Sequence, residues 1–144
     1  MQGREIKFEC IYRPTKEKFV PAKIDFVNGG VYGDFDCEKY AYCYYSTEPD
    51  GYGDAWLRQF TGLRDKHGCE IYEGDIGTKD GVLYQVIWVE CGAMYGLKVI
   101  KTDHVLTRGL TFPLQQYAIA GTMECNFEVI GNVWENPELL EVSN

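Results

Sequence analysis

Serine and histidine are nearly missing from this chain. Ser46 and Ser143 are its only serines, and His67 and His104 its only histidines. Neither serine stands in a G-x-S-x-G elbow, and Ser143 is next to the last residue. His67 falls in a predicted turn, where an imidazole is solvated and has no orienting partner. His104 follows Asp103, but neighbours in an extended chain point to opposite faces. A nucleophile–base–acid relay is therefore poorly supplied, and no catalytic residue is expected.

Cations are also scarce: 14 Lys and Arg stand against 22 Asp and Glu, a net charge of −8. Such a chain repels phosphate backbones unless a local basic stripe overrides the field. The one candidate stripe, Arg13, Lys16, Lys18 and Lys23, is diluted by Glu17 and reads as a solvated strand or turn, so nucleic acid is disfavoured. Long apolar runs are missing too. The first ten residues carry Arg4, Glu5, Lys7 and Glu9, unlike the apolar core of a signal peptide. The uncharged stretch from Gly109 to Met123 contains Pro113, Gln115 and Gln116, too short and polar to cross a bilayer. No membrane partner and a cytoplasmic location are expected. None of the six cysteines forms a C-x2-4-C pair, which disfavours a zinc knuckle and predicts free thiols.

What is present points to strands. The 144 residues fit one domain, 1–144, and fold from roughly 24,000 Å² of surface to roughly 7,500 Å². A hydrophobic fraction of 45% can fill that core, and 15% aromatics with 11 Tyr favour sheet. Ile6, Phe8, Cys10 and Tyr12 alternate as on a half-buried strand that Pro14 ends. Phe19–Phe26 resumes an extended pattern before the turn Asn28-Gly29-Gly30, and Lys39–Tyr45 is a further strand. Trp56–Thr61 leads into Asp65-Lys66-His67-Gly68, a four-residue turn, and Asp75 is placed to accept a nearby backbone N–H. Asp80-Gly81 separates two extended runs as a hairpin turn, and Val82–Val89, apolar on both faces except at Gln85, reads as a central strand. Pro113 marks an edge, Gly131 a bend within Phe127–Trp134, and Asn136-Pro137-Glu138 the start of a short helix. The expected fold is mainly β: a small antiparallel, SH3-like-barrel-type bent sheet with a short C-terminal helix.

Several clusters invite chemistry. Gly62, Gly68 and Gly74 recur every six residues, but a Walker loop has four between its glycines and then Lys. Gly74–Gly77 matches the GXXG of a KH loop without flanking cations or helices. Cys69 and His67 could share a strand face, though nothing orients the pair as a reactive thiol would require. Asp34, Asp36 and Glu38 could share a face, but a calcium loop needs Gly where Lys39 stands and Glu where Tyr45 stands. No metal and no cofactor are therefore expected. Tyr40, Tyr42 and Tyr44 alternate, with Tyr45 and Tyr52 nearby, inside a segment, 34–54, holding six acids against Lys39. Phenols give large contact area at small entropic cost, so these five tyrosines are the candidate partner surface. The competing reading is an ordinary sheet face.

Two stretches, FTGLRDKHGCEIYEGDI (Phe60–Ile76) and FEVIGNVWENPELLE (Phe127–Glu141), resemble the two signatures of the YopX family of phage and prophage proteins. The opening REIKF and the run Lys23-Ile24-Asp25-Phe26 are similar to its N-terminal block, so the resemblance spans nearly the whole chain. His67 stands where the family usually has Asn, Cys69 where it has Lys, and Gly77 where an apolar residue is common. The resemblance implies a mainly β, barrel-like small protein that self-associates and is encoded by phages of Gram-positive bacteria. It carries over no catalytic residues. The functional expectation is a non-enzymatic, self-associating protein-interaction domain with a host or phage protein as partner. The alternatives are a nucleic-acid-binding small barrel and a metal- or thiol-dependent enzyme.

Overall fold

The computed structural model describes residues 5–33, 43–47, 54–103 and 105–141. The chain divides into two compact units, Lys7–Gln59 and a larger one made of Met1–Ile6 with Phe60–Asn144. Among the described residues the strands pair antiparallel, as expected, apart from an isolated parallel bridge between Arg64 and Glu124, and every sheet stays open with none closing into a barrel.

In the smaller unit β1 (Phe8–Tyr12) lies between β2 (Lys18–Phe19) and the first half of β6 (Ala55–Arg64). Cys10 pairs with Phe19 on one side and Leu57 on the other. The one-sided alternation expected of β1 is not what forms. Cys10 and Ile11 are consecutive and both fully buried, so both faces are covered, while Ile6 is exposed. A second sheet runs β3 (Lys23–Asp25), β4 (Gly30–Gly33), β5 (Cys43–Ser46). The Asn28-Gly29-Gly30 turn closes β3 onto β4 with Asp25 opposite Gly30. Cys10, Phe19, Val31, Tyr45 and Ala55 make the core of this unit, with Tyr12, Ile24 and Leu57 packed against them. Of the expected strand Lys39–Tyr45, residues 39–42 lie outside the described residues.

The larger unit is built on a five-stranded sheet in the order β11 (Thr111–Pro113), β10 (Met94–Lys101), β9 (Val82–Val89), β8 (Asp75–Lys79), β12 (Glu128–Asn132). The β8–β9 hairpin turns at Asp80-Gly81, with φ of 52° and 80°. Two left-handed residues match the strand twist, which is why Asp-Gly sits there. β9 is central as predicted, but its burial is one-sided: Tyr84 and Val86 are buried, whereas Leu83, Gln85 and Ile87 are half-buried. β11 holds the edge that Pro113 forecast, and β12 slips register between Val129 and Gly131, the bend expected there. β7 (Glu70–Tyr72) pairs with the Phe60–Arg64 end of β6. The core gathers Ile71, Tyr84, Val86, Leu97, Val99, Leu114, Cys125 and Phe127.

Gly77 has a packing role that explains its departure from an apolar residue. A Cβ there would collide with the Phe127 ring and the Glu128 carbonyl, so Phe127, 1% exposed, fills that space. The short C-terminal helix is one 3-10 turn, Pro137–Leu140, with Pro at its start as expected. Asn136 does not cap it. Its Oδ1 instead accepts the N–H of Asn132 at 3.2 Å.

Candidate functional site

The residues of the two signature stretches meet each other. Asp65 is the joint. Its Oδ1 accepts the N–H groups of His67 and Cys69, each at 2.9 Å, which fixes the predicted turn. Its Oδ2 accepts the N–H of Val129, sixty-four positions along the chain, at 3.0 Å. Beside it the N–H of Lys66 donates to the Phe127 carbonyl at 3.0 Å. Asp75 stands opposite Asn132 and Ile76 opposite Gly131 in the ladder, while the Val133 N–H donates to the Gly74 carbonyl at 2.9 Å. The Trp134 ring occupies the space a Cβ at Gly74 would need. Asp75 also accepts the Tyr72 N–H at 2.8 Å, as expected of it, and buried Asn132 takes those of Trp134 and Glu135. A carboxylate or amide receiving several backbone donors satisfies groups that would otherwise be stranded where a strand meets a turn. These side chains are thus occupied in holding the architecture.

The other chemical candidates do not converge. The His67 ring faces Glu128, with Nε2 3.5 Å from Oε1, rather than forming a described contact with the exposed Cys69 thiol. Cys10 and Cys125 are buried, and burial pushes their thiols up to about 12 and about 11, away from nucleophilic thiolate. Among the described residues no group of three or more His, Cys, Asp or Glu is placed to hold a metal ion. Asp34, Asp36, Glu38 and His104 lie outside the described residues. In the basic stripe, Arg13 and Lys16 pack over the Trp56 ring at 5.6 and 4.7 Å from its centroid.

Of the five candidate tyrosines, Tyr40, Tyr42 and Tyr52 lie outside the described residues. Tyr44 and Tyr45 separate sharply. Tyr45 is 7% exposed and packs between Tyr12 and Phe19, with ring centroids 5.4 Å away in both cases. It belongs to the core, because consecutive strand residues face opposite ways, and it cannot serve as exposed partner surface. Tyr44 is 44% exposed. Its ring lies over Gly30, where no side chain intervenes, and its hydroxyl donates to the Asn28 carbonyl at 3.4 Å. Across the sheet Tyr44 stands opposite Tyr32, and Tyr32 opposite Lys23. The two rings are 5.1 Å apart, and the Lys23 ammonium lies 5.5 Å from the Tyr32 ring centre.

The result is a cross-strand row, Lys23–Tyr32–Tyr44, on the face opposite the Ile24–Val31–Tyr45 core row. Sequence reasoning did not join Lys23 and Tyr32 to the tyrosines. Counting two residues outward from the Asp25–Gly30 closing pair sets Lys23 opposite Tyr32, because hairpin register is fixed by its turn, whereas the Tyr32–Tyr44 pair depends on the separate β4–β5 register. At that turn Asp25 gathers donors: Val27 N–H at 3.0 Å, Asn28 N–H at 3.1 Å and the Asn28 side-chain amide at 2.8 Å. The Asn28 amide is the main reason the Asp25 carboxyl is held below its ordinary range. Two apolar residues, Phe26 and Val27, form the exposed tip.

Residues 30–141 match the family described as YopX protein. None of the curated proteins matches the chain. Among solved structures, the crystal structure of protein EF1440 from Enterococcus faecalis is similar in fold, with a TM-score of 0.55 and 24% identity over 96% of this chain and 100% of that one.

Proposed function

The chain belongs to the YopX protein family, and from that premise we propose that it is a non-enzymatic, self-associating protein-interaction domain. In this reading it is phage- or prophage-encoded, works in the host cytoplasm, and uses the Lys23–Tyr32–Tyr44 row as its contact surface. The row carries the proposal. It sets two phenol rings and one ammonium side by side on one sheet face, an arrangement that gives contact area with little further loss of side-chain freedom. The signature side chains support it indirectly, since Asp65, Asp75, Asn132 and Asn136 are engaged with backbone groups. No helix among the described residues is long and apolar enough to cross a membrane. The nucleic-acid alternative is weakened by Arg13 and Lys16, which pack on Trp56.

The test is the solution mass by light scattering across a dilution series, for the native chain and for Lys23→Glu and Tyr32→Ala. Native protein is expected to associate and both variants to dissociate at higher concentrations. Capture from host lysate with Tyr44→Ala and Tyr42→Ala extends the test to a second protein. A monomeric native chain that captures nothing, or variants indistinguishable from it, would sink the assignment. Shifts on adding short DNA or RNA at low salt would replace it with the nucleic-acid reading.

A further inference from the structure

The turn that borders the tyrosine row contains Asn28 followed by Gly29, a pair with its own reactivity. The Gly29 backbone nitrogen can attack Asn28 Cγ, because a residue without a side chain does not obstruct the cyclic imide. An N–Cγ bond forms, the Cγ–Nδ2 bond breaks, and ammonia leaves with the proton from the Gly29 nitrogen. Water then opens the imide at either carbonyl, giving aspartate or isoaspartate, with no oxidation or reduction.

The fold opposes each part of that step. The Asn28 side chain is turned back three residues, its amide donating to Asp25 Oδ2 at 2.8 Å, away from the nitrogen that follows it. The Asn28 backbone N–H is held on Asp25 Oδ1 at 3.1 Å. The nucleophile itself, the Gly29 N–H, is committed to the Asp25 carbonyl at 3.0 Å. One residue therefore restrains both the electrophile and the nucleophile.

We infer that Asn28 is a site of spontaneous deamidation that Asp25 holds shut in the folded unit and that opens when this latch is lost. Conversion sets a new carboxylate against Asp25, and like charges at that distance repel. The Asn28 carbonyl is also where the Tyr44 hydroxyl donates, so an opened turn alters the edge of the tyrosine row. That consequence rests on the proposed function, whereas the chemical step does not.

The experiment incubates the full chain, Asp25→Ala and a synthetic peptide of residues 22–32 at neutral pH. Peptide mass mapping follows the amide-to-carboxyl mass change at Asn28. The peptide is expected to convert at least about tenfold faster than the native chain, since a charge-assisted hydrogen bond is worth roughly that factor or more. Folded Asp25→Ala loses the two side-chain restraints but keeps the Asp25 carbonyl that holds the Gly29 N–H, so it is expected to convert faster than the native chain and more slowly than the peptide. Native protein converting at the peptide's rate, or folded Asp25→Ala no faster than native, overturns the inference. If Asp25→Ala does not fold, the comparison of native chain with peptide decides alone. Asn28→Asp, a mimic of one product, is then compared with native protein by light scattering. Equal association removes the consequence for the row and leaves the chemistry standing.

Discussion

Replacing Asp65 tests whether a buried carboxylate holds the two signature stretches together. Asp65 is 1% exposed and accepts three backbone N–H groups, two in its own turn and one from Val129 in β12. Bonds to a charged acceptor contribute about 1.5–3 kcal/mol each, and a stranded buried donor costs about 1–3 kcal/mol. In Asp65→Ala the His67 and Cys69 amides, belonging to exposed residues, find water, while the half-buried Val129 amide is less able to. The loss is then about 3–5 kcal/mol, a large part of the 5–15 kcal/mol typical of a domain. Asp65→Asn is more specific. It keeps an oxygen for the turn but turns an N–H₂ group toward the Val129 N–H, for a loss of about 1–3 kcal/mol. Guanidinium midpoints give the magnitudes, and amide exchange at Val129, faster in both variants, gives the location. The opposing effect is desolvation: if burying the charge cost more than its hydrogen bonds return, removal would be neutral or stabilising. A variant at least as stable as the native chain, or unchanged exchange at Val129, refutes the clamp.

Two further outcomes follow from the packing and the thiols. Gly77→Ala forces its Cβ into the Phe127 ring and the Glu128 carbonyl, and a loss of about 1–3 kcal/mol in urea unfolding is expected; an unchanged midpoint would mean that both the ring and the β12 backbone give way at no cost, against this packing role. Cys10 is pushed up to about 12 from an ordinary 9.0 by burial, with the neighbouring Glu9 charge adding to it. The folded chain keeps the thiol proton that the unfolded chain gives up, so this stabilisation is complete below the ordinary thiol range and is lost as pH rises toward about 12. Denaturant midpoints should therefore fall on the alkaline side, with a shallower fall in Cys10→Ala; identical slopes would contradict the assignment.

Local chemistry made much of the fold legible. Asp-Gly at 80–81 and Asn-Gly-Gly at 28–30 fix their hairpins through turn geometry alone, and both formed where expected. Pro113 marked an edge because it lacks a donor, and Gly131 marked a bulge. What failed depended on partners distant in sequence. Apolar alternation at Ile6, Phe8, Cys10 and Tyr12 cannot reveal that Ile11 is buried as deeply as Cys10. Nor could the Asn136-Pro137 pair reveal that Asn136 is claimed by Asn132 rather than by the helical turn. For the site, periodicity separated Tyr44 from Tyr45 in principle, but only the register across β4 placed Tyr32 and Lys23 beside Tyr44.

The bond from Asp65 to Val129 also orders events in time. A ribosome that has just released the Asp65 turn must add more than sixty residues before the matching amide exists. Until then β8 has a bare flank, because β12 is its outer neighbour in the sheet. The local β8–β9 hairpin can form as it emerges, but the five-stranded sheet cannot be completed before β12 exists. A polypeptide cut short before residue 127 keeps an unsealed sheet margin, open to misassociation.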